Sequence, residues 1–283
     1  MAHIERFAPS PTGYLHLGHA FSALTAWEMT KTAGGDFLLR IEDTDHTRIR
    51  PEFEQAIYDD LHWLGLSWPT PVLRQSDNKV AYVKALSILS NLGLTYACDC
   101  TRGIIKDAST TPVFGPDGMV YPGICRVKNL QESNDTAIRL DMAKAIKYLG
   151  GEAQVNQLLY TDIASSVNDH HLDAREMLTK CGDIILARRD IGISYHLAVV
   201  VDDAAQKITH VTRGMDLFDA TQIHRLLQAI LGLPTPIYCH HRLILDDNGK
   251  RLAKRDDSRA IHKFREDGAS PNDIREMVGL GDR

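Results

Sequence analysis

Two histidines bracket a leucine–glycine pair in the run RFAPSPTGYLHLGHAF, Arg6 to Phe21. His16 and His19 open a helical pattern that puts Ala20, Leu24 and Trp27 on one face. Pro9, Pro11 and Gly13 break the chain before them, and IERFAP ahead of the break reads as a short strand. Such a helix start presents unpaired backbone N–H groups that attract phosphate. Gly18 lets a flat ring or a sugar approach the backbone. Imidazoles that donate hydrogen bonds stabilise a phosphate whose charge grows during attack. Alone, the pattern is more often a proline-rich turn with surface histidines. A second basic motif, GKRLAKRDD, follows a strand more than two hundred residues downstream. Its Lys250, Arg251, Lys254 and Arg255 can reach a polyphosphate tail from a mobile loop.

A different chemistry is written into the middle of the chain. Cys98-x-Cys100, Tyr121 and Cys125 offer three thiolates and a phenol, enough to complete a tetrahedral Zn²⁺ site. His170 and His171 are alternative fourth ligands. Cys181 and Cys239 read as isolated core cysteines. Five cysteines without a secretory leader argue against a disulfide framework.

The elements that must position these groups alternate. GGDFLLRIEDTD is a turn and a buried strand. Pro51 suits a first helical position, followed by Phe53, Ile57, Leu61 and Leu64 at helical spacing. PVLRQSD is a short strand, and Tyr82, Leu86 and Leu89 mark another helix. Residues 96–130 are loop-like, and 131–190 are mixed. SYHLAVVVDD then reads as a strongly apolar strand and KITHVTRG as another. A helix from Asp219, which serves as its cap, turns Ala220, Ile223, Leu227 and Ile230 inward. IYCHHRLILDDNGKRLAKR reads as a hairpin-like strand, a turn at Asp247-Asn248-Gly249, and the basic loop. The fold class is α/β, a doubly wound parallel sheet. Its nucleotide-binding halves span 1–95 and 188–236, split by an insertion over 96–187 that holds the zinc site. The basic loop and a short C-terminal appendage occupy 237–283.

The chain has 283 residues and a formal net charge of −5, so no overall basicity advertises a nucleic-acid partner. Residues 242–265 nevertheless hold eight Lys/Arg against four Asp, a local surface for phosphates. No apolar run spans a membrane and no secretory leader is visible. A cytoplasmic monomer is expected.

HLGH and RLAKR, in this order and at these ends of an α/β chain, resemble the two signatures of class I aminoacyl-tRNA synthetases. RFAPSPTGYLHLGHA, LRIEDTD, HVTRGMDL and AKR are similar to the glutamyl-tRNA synthetase family, over residues 4–101 and 188–270 well and 126–187 weakly. The resemblance implies an ATP-dependent ligase that activates L-glutamate as glutamyl-adenylate. It implies His16, Gly18, His19, Arg251 and Lys254 at ATP, with Mg²⁺, and His16, His19 and Lys254 as the catalytic groups. It puts Arg6, Ser10, Glu42, Tyr195 and Arg213 at glutamate. Two cations and an anion match a ligand with two carboxylates and an ammonium, because unpaired buried charges are costly. Asp43 and Asp45 are ligand contacts, caps or ion-pair partners. The C-x-C…Y-x-x-x-C spacing resembles one branch of the family, which supports the metal. Ala253 stands where relatives carry Ser or Thr, and Arg251 where they carry Lys, so loop closure is expected to be slowed or altered.

The chain ends about thirty residues after Lys254, at SPNDIREMVGLGDR, where family members continue into an anticodon-binding region. It thereby resembles a short branch of the family that attaches glutamate to the queuosine base in the anticodon loop of tRNA(Asp), which implies that the insertion and the C-terminal appendage contact the anticodon stem-loop. Alternatives are a truncated synthetase that charges a tRNA 3′ end and a non-catalytic tRNA-binding paralogue. A nucleotidylyltransferase is disfavoured by the Arg6, Glu42 and Arg213 set.

Overall fold

The structure is a computed structural model that describes residues 2–109, 111–189, 192–245 and 260–281. The turn at Asp247 and the basic loop with Lys250, Arg251, Ala253, Lys254 and Arg255 lie outside the described residues. In chain order, the elements that bear on function are β1 (Ile4–Phe7), α1 (Leu17–Thr32), β2 (Asp36–Ile41), α2 (Pro51–Trp63), β3 (Leu73–Arg74) and α3 (Lys79–Asn91). Next come β4 (Thr95–Cys98), β5 (Ala137–Leu140), β6 (Ile185–Arg188), β7 (Gly192–Ile193), α4 (Tyr195–Ala205), β8 (His210–Gly214), α5 (Thr221–Leu231), β9 (Ile237–His241), α6 (Ile261–Glu266) and α7 (Pro271–Met277).

Two compact units emerge. The first joins Met1–Asp77, Ile208–Asp216 and Ile237–Arg283. Its strands run in the order β3-β2-β1-β8-β9, every neighbouring pair parallel. From β1 the chain winds one way through β2 and β3, and β8 and β9 wind the other way. The crevice at the carboxyl ends of β1 and β8 is therefore a topological switch point, where open α/β sheets bind ligands. One face of the sheet carries Phe7, Phe37, Leu39 and Ile41, packed with Ala20, Ala23, Leu24 and Ala26 of α1. The alanines let the helix lie close to the strands, and each buried leucine contributes about 2 kcal/mol. Ile261 and Ile274 of α6 and α7 complete the same core.

Residues 260 and 261 join this unit at a defined place. Ala260 bridges His16, and the Ile261 N–H donates to the Leu15 carbonyl at 2.8 Å. Ala260 and Ile261 are thus joined to the histidine segment, more than two hundred residues away in sequence.

The second unit comprises Asn78–Lys207 and Leu217–Pro236. It contains an antiparallel sheet in the order β7-β6-β5-β4 and the helices α3, α4 and α5. Three expectations are corrected here. SYHLAVVVDD is α4, not a strand. His196, Leu197, Ala198, Val199, Val200, Asp202 and Asp203 are all buried, so the helix is covered nearly all round and its period does not show in the sequence. Asp202 is accommodated because it accepts from the Tyr82 hydroxyl and the Asn78 amide, both at 2.8 Å. The helix expected from Asp219 starts at Thr221, with Ala220 at the cap and no side-chain cap bond. Third, β9 of the first unit is not half of a hairpin, because it pairs in parallel with β8 from His210↔Ile237 to Gly214↔His241.

Asp60 of α2 is fully buried, and neither of its oxygens has a hydrogen-bond partner among the described residues. Arg265 of α6 approaches it to 3.8 Å. Burial pushes the Asp60 carboxyl up to about 7, against the opposing pull of Arg265. The folded group titrates above its unfolded value of 3.8. Its contribution to stability is complete below pH 4 and is lost as pH rises towards 7 and beyond. Asp60→Asn should flatten that decline. Relative to the native chain it should gain about 2–4 kcal/mol between pH 4.5 and pH 8, read from urea unfolding at the two pH values. Equal gains at both would show that Asp60 ionises freely.

Candidate active site and metal centre

The two histidines build their own helix cap. The His16 Nδ1 accepts from the Gly18 N–H and the His19 Nδ1 accepts from the His16 N–H, each at 3.1 Å. The His19 and Ala20 N–H groups donate to the His16 carbonyl at 2.8 and 3.0 Å. The N–H groups of Gly18, His19 and Ala20, at the helix start expected to present unpaired donors, are therefore engaged within the cap. What the cap provides instead is a fixed tautomer. A neutral imidazole that accepts at Nδ1 carries its proton on Nε2, so both rings present an Nε2–H donor. The rings lie 3.8 Å apart, tilted by 33°. Gly18 gives the His16 ring room, since a Cβ there would meet that ring at 3.0 Å. The flat ring that approaches its backbone is His16 itself.

Strand register gathers the charges. Arg6 of β1 pairs with Leu38, and Glu5 with His210, so Arg6, Arg40 and Arg213 share the sheet face opposite α1. Arg6 and Arg213 are both buried, on the neighbouring strands that flank the switch point. The Arg213 Nε donates to His240 Nε2 at 3.0 Å, and its guanidinium sits 5.1 Å from the centre of the Tyr238 ring. Glu42 follows β2. Its carboxylate accepts from fully buried Arg40 at 3.3 Å, and its N–H donates to the Pro9 carbonyl at 3.0 Å. That last bond clips the loop bearing Ser10 to Glu42. Asp43 is an anchor, not a surface carboxylate. It accepts from the Ser76 N–H at 2.7 Å, the Ser76 hydroxyl at 2.6 Å and Arg74 at 3.3 Å. Asp45 accepts from the Thr47 hydroxyl and Arg48, each at 2.6 Å. Burial acts to raise the Asp45 carboxyl, but the bonds from Thr47 and Arg48 outweigh it and hold the group below its ordinary value.

Tyr195 opens α4 in the second unit. Its ring contacts those of His196 and His224, with centroids 5.5 and 5.4 Å away. His196 Nδ1 is 3.1 Å from His224 Nε2, and His196 Nε2 is 3.5 Å from an Asp117 oxygen. A chain of acceptors and donors thus runs from Asp117 to the ring beside Tyr195.

The second unit also gathers Cys98, Cys100 and Cys125, all buried, with their sulfurs within 4.8 Å of one another. The Tyr121 hydroxyl lies 3.4 Å from the sulfurs of Cys98 and Cys100, and Cys100 lies 3.4 Å from Cys125. With Zn–S bonds near 2.3 Å, a tetrahedral edge is about 3.8 Å between sulfurs and about 3.5 Å between sulfur and oxygen. These three separations are close to those edges, and the Cys125 thiol also lies 3.1 Å from an Asp99 oxygen. His170 and His171 do not join the cluster. His171 Nδ1 lies 3.1 Å from the Asn156 carbonyl oxygen, and His170 stacks on Tyr160. Arg139 lies 3.9 Å from the centre of the Tyr121 ring. Burial acts to raise the Cys98 thiol, but its hydrogen bonding with Tyr121 and Arg139 holds it below its ordinary value. Burial pushes the Cys100 thiol up to about 11. Cys181 and Cys239 are buried apart from this cluster, as expected of core cysteines.

Sequence reasoning missed Arg40, His240, Arg139 and the His196–His224 pair. The Arg40 signal was available, because Arg40 and Glu42 lie two apart at the end of a strand and so on one face. The others depend on pairings between distant segments.

A parallel sheet with two buried arginines beside its switch point and a histidine pair at the first helix defines an α/β fold of the ligand-binding type. The profile described as tRNA synthetases class I (E and Q), catalytic domain, matches residues 4–281, and the chain belongs to that family. It is 53% identical to the glutamyl-Q tRNA(Asp) synthetase of Rhodobacter capsulatus, over 98% of this chain and 100% of that protein. A glutamyl-Q tRNA(Asp) synthetase of Nocardia farcinica is 40% identical over 95% of this chain and 81% of its own length. Among solved structures, the fold is similar to a glutamate tRNA ligase from Elizabethkingia meningosepticum in complex with its amino acid. The TM-score is 0.75 at 26% identity, and the match covers 99% of this chain and 61% of that one. Among the described residues, no helix is long and apolar enough to cross a membrane.

Proposed function

We propose that the protein activates L-glutamate with ATP and transfers the glutamyl group to the queuosine base in the anticodon loop of tRNA(Asp), in the cytoplasm. The observation that carries this reading is the 53% identity to a glutamyl-Q tRNA(Asp) synthetase over that relative's whole length. The geometry supports the first step. Arg6 and Arg213 share one sheet face, and Glu42 at the end of β2 supplies the matching anion for the ammonium. A glutamate carboxylate oxygen attacks the α-phosphorus of ATP and pyrophosphate leaves. The Nε2–H groups of His16 and His19 suit the α-phosphate as its charge grows, and Mg²⁺, delivered with ATP, neutralises the rest. Lys254 and Arg251 are assigned to the pyrophosphate on the family resemblance. Ser10 and Tyr195 complete the glutamate set on the same ground. In the second step, a hydroxyl oxygen of the acceptor attacks the glutamyl carbonyl carbon. The new ester bond forms, the mixed-anhydride C–O bond breaks, and AMP leaves with the electron pair while its phosphate takes up the proton. A zinc ion held by Cys98, Cys100, Tyr121 and Cys125 would cross-link its segment without entering either step.

The acceptor decides the reading. Radiolabelled glutamate should reach tRNA(Asp) from cells that make queuosine, and not the same tRNA from cells that cannot. Trimming the 3′ end should leave acceptance intact. If trimmed, queuosine-containing tRNA takes no glutamate while intact tRNA(Glu) does, the protein is a 3′-end synthetase.

A further inference from the structure

A cleft of about 310 Å³ opens on the first unit beside the loop that follows β1. Its walls include Pro11, Ile49, Pro51 and Tyr58, with Arg50 and Gln55 also lining it. Nothing in the activation step uses it. Its position is nevertheless tied to that step. The Arg50 N–H donates to the Pro11 carbonyl at 3.2 Å, and the Glu42 N–H donates to the Pro9 carbonyl at 3.0 Å. One wall of the cleft is therefore the loop that carries Ser10 and closes onto Glu42.

The lining selects a class of occupant. Two proline rings, an isoleucine and a tyrosine make stiff apolar walls for a flat ring system. Two further lining residues, Arg74 and Glu54, neutralise each other. Arg74 donates to Glu54 at 2.8 Å and to Asp43 at 3.3 Å, and the Tyr58 hydroxyl donates to Glu54 at 3.2 Å. Arg74 is thus already compensated and offers a polyphosphate little, whereas a neutral heterocycle would find acceptors and donors for its edge. Arg50 differs, because its side chain is 66% exposed and its carboxylate neighbour Glu52 is 3.7 Å away. That places a solvated cation beside apolar walls, the combination that holds a base by its ring and its strand by the phosphate.

We propose that this cleft holds the ring of the acceptor base. The base, drawn out of the anticodon-loop stack, would lie between Pro11, Pro51 and Tyr58, with its flanking phosphate at Arg50. Its hydroxyl-bearing arm would pass the Pro11 edge towards the glutamyl group. Unstacking a loop base costs a few kcal/mol, and a preformed apolar slot offsets that cost. The proposal rests on the queuosine reading and adds the site of base recognition to it.

The test separates activation from transfer. Gln55 is exposed on α2 and donates to Asp59 at 2.9 Å, so Gln55→Trp adds bulk to the cleft without entering the core. Glutamate-dependent ATP–pyrophosphate exchange should be unchanged. Transfer to a queuosine-containing anticodon stem-loop RNA should show a KM raised at least tenfold. Arg50→Gln should weaken binding of modified and unmodified stem-loops alike and reduce the salt slope by about one. If Gln55→Trp transfers with the native KM, the cleft is not the base site and the queuosine reading stands. Equal losses of exchange and transfer would put the cleft in the activation step and also overturn the proposal. If the native protein glutamylates no queuosine RNA yet charges a tRNA 3′ end, the functional reading fails and the cleft assignment goes with it.

Discussion

Arg213→Ala should abolish most glutamate-dependent ATP–pyrophosphate exchange while leaving the fold in place. Arg213 is buried on β8, on the same sheet face as Arg6. Removing one partner of a buried charge pair costs about 2–5 kcal/mol, because the carboxylate left behind has lost water as well as its partner. That corresponds to a fall of roughly thirtyfold to several thousandfold at limiting glutamate. Arg213→Lys should fall between, since an ammonium keeps the charge but loses the Nε–H that reaches His240 at 3.0 Å. The KM for ATP should move little in either variant. Native exchange kinetics for Arg213→Ala at limiting glutamate would remove this residue from the site.

The contrast between Arg213 and His240 shows what a sequence discloses. Arg6, Glu42 and Arg213 come with motifs, and the strands that bear them have ordinary alternating patterns, so β1, β2 and β8 were legible. Arg40 could have been read from its i, i+2 spacing to Glu42, but His240 acts on Arg213 through register, and register is a property of strand pairs that no single segment carries. Gly18 was legible as a small residue at a helix start, but its reason was not. The space it leaves is filled by His16, which only the closed cap makes visible. The strand expected over SYHLAVVVDD failed on a physical ambiguity: a helix buried on all sides and a buried strand share one composition, and only length and end chemistry tell them apart. The parallel pairing of β8 with β9 was hidden for a similar reason. Both strands are apolar enough to be read as any buried pair, and α5, which carries the chain between them, was legible only as a separate helix.

The metal centre carries the other large expectation. Purified protein should hold about one Zn²⁺ per chain, and Cys98→Ser should lower that content. The argument is geometric. The phenol oxygen lies 3.4 Å from the sulfurs of Cys98 and Cys100, Cys100 lies 3.4 Å from Cys125, the three sulfurs all lie within 4.8 Å, and all four residues are buried. They come from three separate places: the end of β4, the loop after it, and a segment more than twenty residues on. Between Tyr121 and Ala137 there is no regular element other than turns, so the local packing around Cys98, Cys100, Tyr121 and Cys125 is small. Few apolar side chains hold that segment, and a metal would supply the missing cross-link. Structural zinc binding is worth on the order of 10 kcal/mol in isolated small domains, and that free energy is folding free energy. Loss of one ligand, or stripping with a chelator, should therefore loosen the segment from Thr95 to Leu140 well before the parallel sheet. Hydrogen exchange reads this directly: amides of β4 and the Tyr121–Cys125 stretch should lose protection by a hundredfold or more, while β1, β2, β8 and β9 keep theirs. Arg139→Ala should give a smaller loss of zinc, since it removes a cation beside Cys98 and Tyr121 but no ligand. Metal-free native protein with full protection over Thr95–Leu140 would mean that the four groups are packed as neutral thiols and a phenol, with Arg139 on the Tyr121 ring sufficient to hold them.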